Sequence, residues 1–130
     1  YRGFSYYWLG QYQRAIDDYD KAIELDPNDA AAYYNRGNSY GNLGQNERAI
    51  KDYDKGIELD PNVARIYFNR GQSYLQLRQY QRAIEDYDEA IRLNPKDADA
   101  YYNRGIAYRN LGQQKIADRD FARAKELGVE

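Results

Sequence analysis

The only three prolines of this chain, Pro27, Pro61 and Pro95, stand 34 residues apart. The same step governs nearly everything else. Asn-Arg-Gly occurs at Asn35-Arg36-Gly37, Asn69-Arg70-Gly71 and Asn103-Arg104-Gly105, and Arg2-Gly3 continues it backwards. Tyr6, Tyr40, Tyr74 and Tyr108 keep the period, as do Ala15, Ala49, Ala83 and Ala117, and Tyr19, Tyr53, Tyr87 and Phe121. Residues 30–63 and 64–97 are identical at 18 of 34 positions, which chance does not produce. A fixed period of this size means one supersecondary unit copied along the chain, each copy burying its apolar face on its neighbours.

Each copy reads as two helices. Tyr33, Gly37, Tyr40 and Gly44 fall at i, i+4, i+7 and i+11, along one helical face. Asn28 or Asp29 supplies an N-cap and Gly44 a stop. Ala49, Ile50, Tyr53, Gly56, Ile57 and Leu59 form a second stripe, which Pro61 ends because it lacks an amide proton and clashes with the preceding turn. The spacing predicts helices over 30–43 and 46–59, 64–77 and 80–93, and 98–111 and 114–127. The first copy predicts 1–9 and 12–25. Gly37 and Ala49 let the two helices of a copy approach closely while aromatics fill the space around them.

Arg2, Arg36, Arg70 and Arg104 each have an aspartate at a matching place on the second helix: Asp18, Asp52, Asp86 and Asp120. These are expected to pair within a copy or between neighbours, specifying register more than adding stability.

These residues resemble the tetratricopeptide repeat family over essentially the whole chain. That pattern places an aromatic, Leu-Gly, Tyr, Ala, an aromatic, Ala and Pro at fixed offsets. Here it reads Tyr33, Arg36-Gly37, Tyr40, Ala49, Tyr53, Gly56, Pro61, and again Tyr67, Arg70-Gly71, Tyr74, Ala83, Tyr87, Ala90, Pro95. Tyr stands for Trp at the first aromatic, Arg for Leu before the glycine, and Gly56 for Ala. The resemblance implies an all-α fold, a right-handed superhelical solenoid of antiparallel helix pairs. The chain is then one array of repeats 1–29 (N-terminally truncated), 30–63, 64–97 and 98–130.

The two ends differ. Ile16, Ile50 and Ile84 recur at one offset and Ile23, Ile57 and Ile91 at another, but the fourth copy has Asp118 and Lys125 there. Charged residues at these places are expected to give the last helix a polar outer face, as a terminal repeat needs, so the array is expected to end near Glu130. Tyr1 aligns with Asn35, so the first copy lacks its opening residues and further repeats are expected upstream. Phe4, Tyr7 and Trp8 would lie on the face thus exposed, which could pair with another copy of the chain.

Composition excludes much chemistry. There is no cysteine and no histidine, so disulfides, thiolate metal sites, Ser-His-Asp and Cys-His sets and the commonest general base are absent. The glycines are single and follow helix packing rather than forming a phosphate loop. The many Asp and Glu sit in copies of one helix, as in Asp17-Asp18-Tyr19-Asp20, and read as a solvated acidic helix face. No catalytic residue, metal site or cofactor is therefore expected. The net charge of −2 and the lack of a recurring basic stripe argue against nucleic acid. With 31% charged residues and no long apolar run, membrane insertion is not expected. The chain reads as soluble, with the compartment left open and the cytoplasm the default. The aromatics are 16 Tyr, 3 Phe and 1 Trp, and tyrosine suits positions apolar on one side and wet on the other.

The resemblance also implies that binding occurs in a concave groove lined by the first helix of each repeat. The residues mapping there are Tyr34, Asn35, Asn38 and Asn42, then Arg65, Phe68, Asn69 and Gln72, then Tyr102 and Asn103. Gln76, Asp99, Ile106, Arg109 and Asn110 extend the lining. Asn35, Asn69 and Asn103 would form a ladder, and an amide offers a donor and an acceptor to the backbone of an extended peptide. The same asparagines could instead serve the Asn-Arg-Gly motif structurally. The carboxylate clamp of chaperone-binding relatives is not matched. Asn35 and Arg65 fit two of its places, but Asn69 stands where a base is needed and Phe4 where an asparagine is. Two functions stand: a scaffold that binds a peptide segment or partner protein in its groove, and a structural module that self-associates end to end.

Overall fold

The computed structural model describes the backbone of residues 2–128 and the side chains of residues 9–128. Seven helices follow one another: α1 (Arg2–Leu25), α2 (Ala30–Asn42), α3 (Asn46–Leu59), α4 (Ala64–Gln76), α5 (Tyr80–Leu93), α6 (Ala98–Asn110) and α7 (Gln114–Leu127). No strand occurs among the described residues, so the fold is all-α and built from helix pairs. The helices group into two compact units, Tyr1–Pro61 and Asn62–Glu130.

Local signals set the ends. Asp29, and not Asn28, caps α2, accepting from the Ala32 amide at 3.3 Å. Asp97 does the same for α6, accepting from Asp99 and Ala100. Each satisfies amides that a helix start leaves unpaired. After α2 and α6 the chain turns through Gly44 (φ +76) and Gly112 (φ +81), a left-handed conformation that costs glycine little. The turn closes with the Gln45 and Gln113 amides donating back to the Tyr40 and Tyr108 carbonyls at 2.9 Å. Arg78 takes the same turn after α4 at φ +62, although it carries a Cβ.

The first repeat departs from expectation. In place of helices over 1–9 and 12–25 there is one continuous helix of 24 residues. Leu9-Gly10-Gln11 repeats the turn sequence of Leu43-Gly44-Gln45, yet Gly10 is helical and a Cβ there would meet nothing within 4 Å. A glycine permits a turn without imposing one, and at Gly10 the backbone keeps its helical hydrogen bonds through to Leu25.

In each unit the helices meet through small residues. Ala49, Ala83, Ala100, Ala107 and Ala117 are fully buried. A Cβ on Gly37 would lie 2.8 Å from Tyr53 Cε1, on Gly71 2.8 Å from Tyr87 Cε1, and on Gly105 2.7 Å from Phe121 Cε1. In each pair the ring of the second helix occupies the space that the glycine of the first leaves open. The core of the second unit gathers Phe68, Ala83, Tyr87, Ala90 and Ala100, flanked by Tyr67, Tyr74, Leu75 and Ile91. Asp118 and Lys125 on α7 are exposed, whereas Ile84 at the offset of Asp118 is buried.

Candidate functional site

The arginines of the Asn-Arg-Gly motif are bound by the aspartates expected. Arg36 donates from Nε and Nη2 to the two oxygens of Asp52 at 2.8 and 2.6 Å. Arg70 binds Asp86 at 2.9 and 2.7 Å, and Arg104 binds Asp120 at 2.9 and 2.7 Å. These are parallel two-point pairs, the geometry a guanidinium fork favours. Asp52, Asp86 and Asp120 are buried, so each depends on its arginine for neutralisation. Both kinds of pairing occur at once. Arg36 Nη1 also reaches Asp20 of the preceding repeat at 2.9 Å, and Arg104 Nη1 reaches Asp88 at 2.9 Å. The hydrogen bond to Asp52 raises Arg36 well above its already high pKa, against the opposing effect of burial, and that to Asp120 does the same for Arg104. Each guanidinium further lies over the tyrosine one turn earlier: Arg36 on Tyr33, Arg70 on Tyr67 and Arg104 on Tyr101, at 5.3 to 5.8 Å. Sequence reading did not reach this stacking, although the Tyr-x-x-Arg spacing contains its signal. These arginines are structural and unavailable to a ligand.

The residues expected to line a groove divide. An aromatic of each first helix packs on the ring beneath its glycine: Tyr34 on Tyr53 (6.2 Å between centroids), Phe68 on Tyr87 (5.8 Å) and Tyr102 on Phe121 (5.5 Å). Their exposure differs. Phe68 is 6% exposed, a core residue that presents little surface to a ligand, whereas Tyr102 is 42% exposed and Tyr34 is half-buried. Asn42, Arg65, Gln72, Gln76, Asp99, Arg109 and Asn110 are exposed, and Asn35, Asn38, Asn69, Asn103 and Ile106 are half-buried.

Several amides have work inside the fold. Asn38 accepts from the Tyr53 hydroxyl at 2.7 Å. Asn110 donates to the Ile106 carbonyl at 2.8 Å. Burial pushes the Tyr87 phenol well above its usual range, and Asn103 on α6 draws it part of the way back. Burial likewise raises Tyr53. Asn103 is half-buried, and the buried Tyr87 hydroxyl makes no hydrogen bond among the described residues. Phe4, Tyr7 and Trp8, and the expected Arg2–Asp18 pair, lie outside the described side chains.

Among the described residues no group of His, Cys, Asp and Glu is disposed to hold a metal ion, and no helix is long and apolar enough to cross a membrane.

Helix pairs of 34-residue period, locked by a glycine under a ring, define a helical-repeat protein-interaction scaffold. The chain belongs to the tetratricopeptide repeat family. A family profile described as TPR repeat matches residues 3–44 and 71–112, and profiles described as tetratricopeptide repeat match 30–63, 52–85 and 98–127. Repeats of this family typically serve as non-catalytic scaffolds. Comparison with curated proteins finds no match. Among solved structures, MamA is similar with a TM-score of 0.88 at 29% identity, over 92% of this chain and 70% of MamA. The second TPR of Spaghetti (RPAP3), bound to the HSP90 peptide SRMEEVD, is 35% identical with a TM-score of 0.74, over 75% of this chain and 91% of that one. The Arabidopsis OM64 TPR domain is 30% identical with a TM-score of 0.75, over 76% of this chain and 82% of its own.

Proposed function

We propose that this chain is a scaffold that holds an extended peptide segment of a partner protein along its first helices. The observation that carries the reading is Tyr102. A large ring left 42% exposed on a first helix, beside Asn103 and backed by Phe121, contributes a partner surface rather than core. Exposed Gln72 and Gln76 on α4, in the same unit as Tyr102, add amides that suit a peptide backbone. The peptide-bound Spaghetti domain supports the same reading, because it is 35% identical and carries a peptide. The reading does not extend to HSP90, since Asn69 stands where the chaperone clamp needs a base.

A second reading, self-association, has its own observation: Leu25 and Leu9 of α1 are 87% and 44% exposed. One experiment separates the two. The chain and a Gln72→Ala, Tyr102→Ala variant, both checked for helicity, are used to capture partners from a lysate and are then sedimented alone. Capture lost in the variant with an unchanged monomeric mass supports groove binding. Equal capture by both proteins rejects it, and a concentration-dependent dimer that Leu25→Ser abolishes moves the weight to self-association.

A further inference from the structure

We propose that the first-helix face of the second unit takes an internal acidic stretch of its partner: two Asp or Glu side chains of one extended peptide, seated on Arg65 and Arg109. The proposal rests on the peptide-binding reading and deepens it by naming the chemistry of the segment.

Five arginines stand on the first helices α2, α4 and α6: Arg36, Arg65, Arg70, Arg104 and Arg109. Arg36, Arg70 and Arg104 are committed to buried aspartates. Arg65 and Arg109 are exposed, and among the described residues no carboxylate pairs with either. Each is nevertheless held. Arg65 lies 5.7 Å over the ring of Phe68, and Arg109 lies 5.7 Å over the ring of Phe121. Those two rings belong to the corresponding aromatic pairs of successive repeats, Phe68 with Tyr87 and Phe121 with Tyr102. Phe68 is the first-helix ring of its pair and Phe121 the second-helix ring, so the two guanidiniums rest on opposite members of corresponding pairs in successive repeats. A guanidinium laid on a ring keeps its N–H edges outward, and those edges match a carboxylate at two points. Resting on a ring also lowers the ordering cost of capturing it.

The separation of the pair points to two side chains rather than one chain terminus. Arg65 is in the first turn of α4 and Arg109 in the last turn of α6, helices that touch and run in the same direction. Ten helical residues along and one helix across place their backbones roughly 18 Å apart. An extended chain spans that distance in about five residues. A single terminal carboxylate cannot engage both sites.

Asp99 sharpens the assignment. It is the only carboxylate on α4 and α6, and it stands at the repeat position of Arg65. An acidic side chain is therefore welcome over Arg65 and repelled one repeat later, which makes the face selective for the spacing of its ligand's charges.

The test uses the whole chain and fluorescence anisotropy. The probes are peptides blocked at both ends, carrying two Glu at a range of spacings in a Tyr-Ala-Ser background, with Gln counterparts. Affinity is expected to peak near a spacing of about five residues, to fall about tenfold with Gln, and to fall about fivefold in Arg65→Gln or Arg109→Gln. Arg65→Lys and Arg109→Lys, which keep the charge without the fork, should lose less. Asp99→Asn should bind as well or better, and Lys115→Gln on α7 should match the parent. Equal binding of Glu and Gln peptides overturns the acidic assignment while leaving the groove reading intact. Binding by neither overturns both. A loss in Lys115→Gln equal to that in Arg65→Gln shows net charge at work instead of these two sites, and also overturns it. Circular dichroism of each variant separates a lost site from a lost fold.

Discussion

Leu9-Gly10-Gln11 and Leu43-Gly44-Gln45 have the same sequence and opposite structures. In the first unit Gly10 lies inside a 24-residue helix, while Gly44 breaks the chain between α2 and α3 at φ +76. The Leu111-Gly112-Gln113 turn of the second unit behaves like Gly44. The glycine thus permits a turn without imposing it. What imposes it is the helix on either side. Where the first helix folds back and seats a ring under Gly37 or Gly105, the chain turns; at Gly10 helix propagation wins.

The largest expected effect tests that seating. Gly71→Ala puts a methyl 2.8 Å from Tyr87 Cε1, in a site where the ring is fully buried and cannot withdraw. We expect a loss of about 2 kcal/mol in urea unfolding, within the usual range for overpacking a core. An unchanged midpoint would show that the glycine is not what lets the helices close.

The comparison itself is tested by one substitution made twice. Gly44→Ala should cost about 1 kcal/mol, because alanine resists a positive φ. Gly10→Ala should instead stabilise by up to about 1 kcal/mol, because it replaces glycine inside a helix with the best helix former. Two thermal melts suffice. If both variants are destabilised by the same amount, Gly10 is a turn in solution and α1 is two helices.

The smallest effect sharpens the same point from the other side. Arg78 is the one non-glycine among these turns, at φ +62. Arg78→Gly should add about 0.5 kcal/mol, the strain relieved less the entropy glycine brings to the unfolded chain. A loss would mean that the arginine makes a contact worth more than its backbone strain.

Much of the fold can be read without coordinates, because a repeated sequence states each constraint several times. Gly37, Gly71 and Gly105 recur with the ring they accommodate, and Arg36, Arg70 and Arg104 recur with their aspartates. Where the reading fails, the missing information is not periodic. Gly10 looks like Gly44 in any window short enough to hold a turn, yet the first is helical and the second takes a positive φ. Phe68 and Tyr102 occupy one repeat position, yet the first is buried and the second open. Arg65 lies across the ring of Phe68, a cover that Asp99, at the same repeat position before Tyr102, does not supply. Exposure at that position therefore depends on neighbours, which a single repeat does not encode. The amides were legible as surface candidates, but the engagement of Asn38 by the Tyr53 hydroxyl follows from a side-chain geometry that spacing alone does not specify.

Arg36 and Arg104 each grip one carboxylate of their own repeat and one of the repeat before. A repeat therefore carries a socket for its successor and a plug for its predecessor. Gaining or losing a whole 34-residue segment by unequal exchange keeps such a plug in register with its socket, whereas an insertion of any other length between repeats parts Arg36 from Asp20 or Arg104 from Asp88. Arrays of this kind can change in number far more freely than they can change in phase, and the two-sided arginine acts as the ratchet that keeps such growth in whole steps.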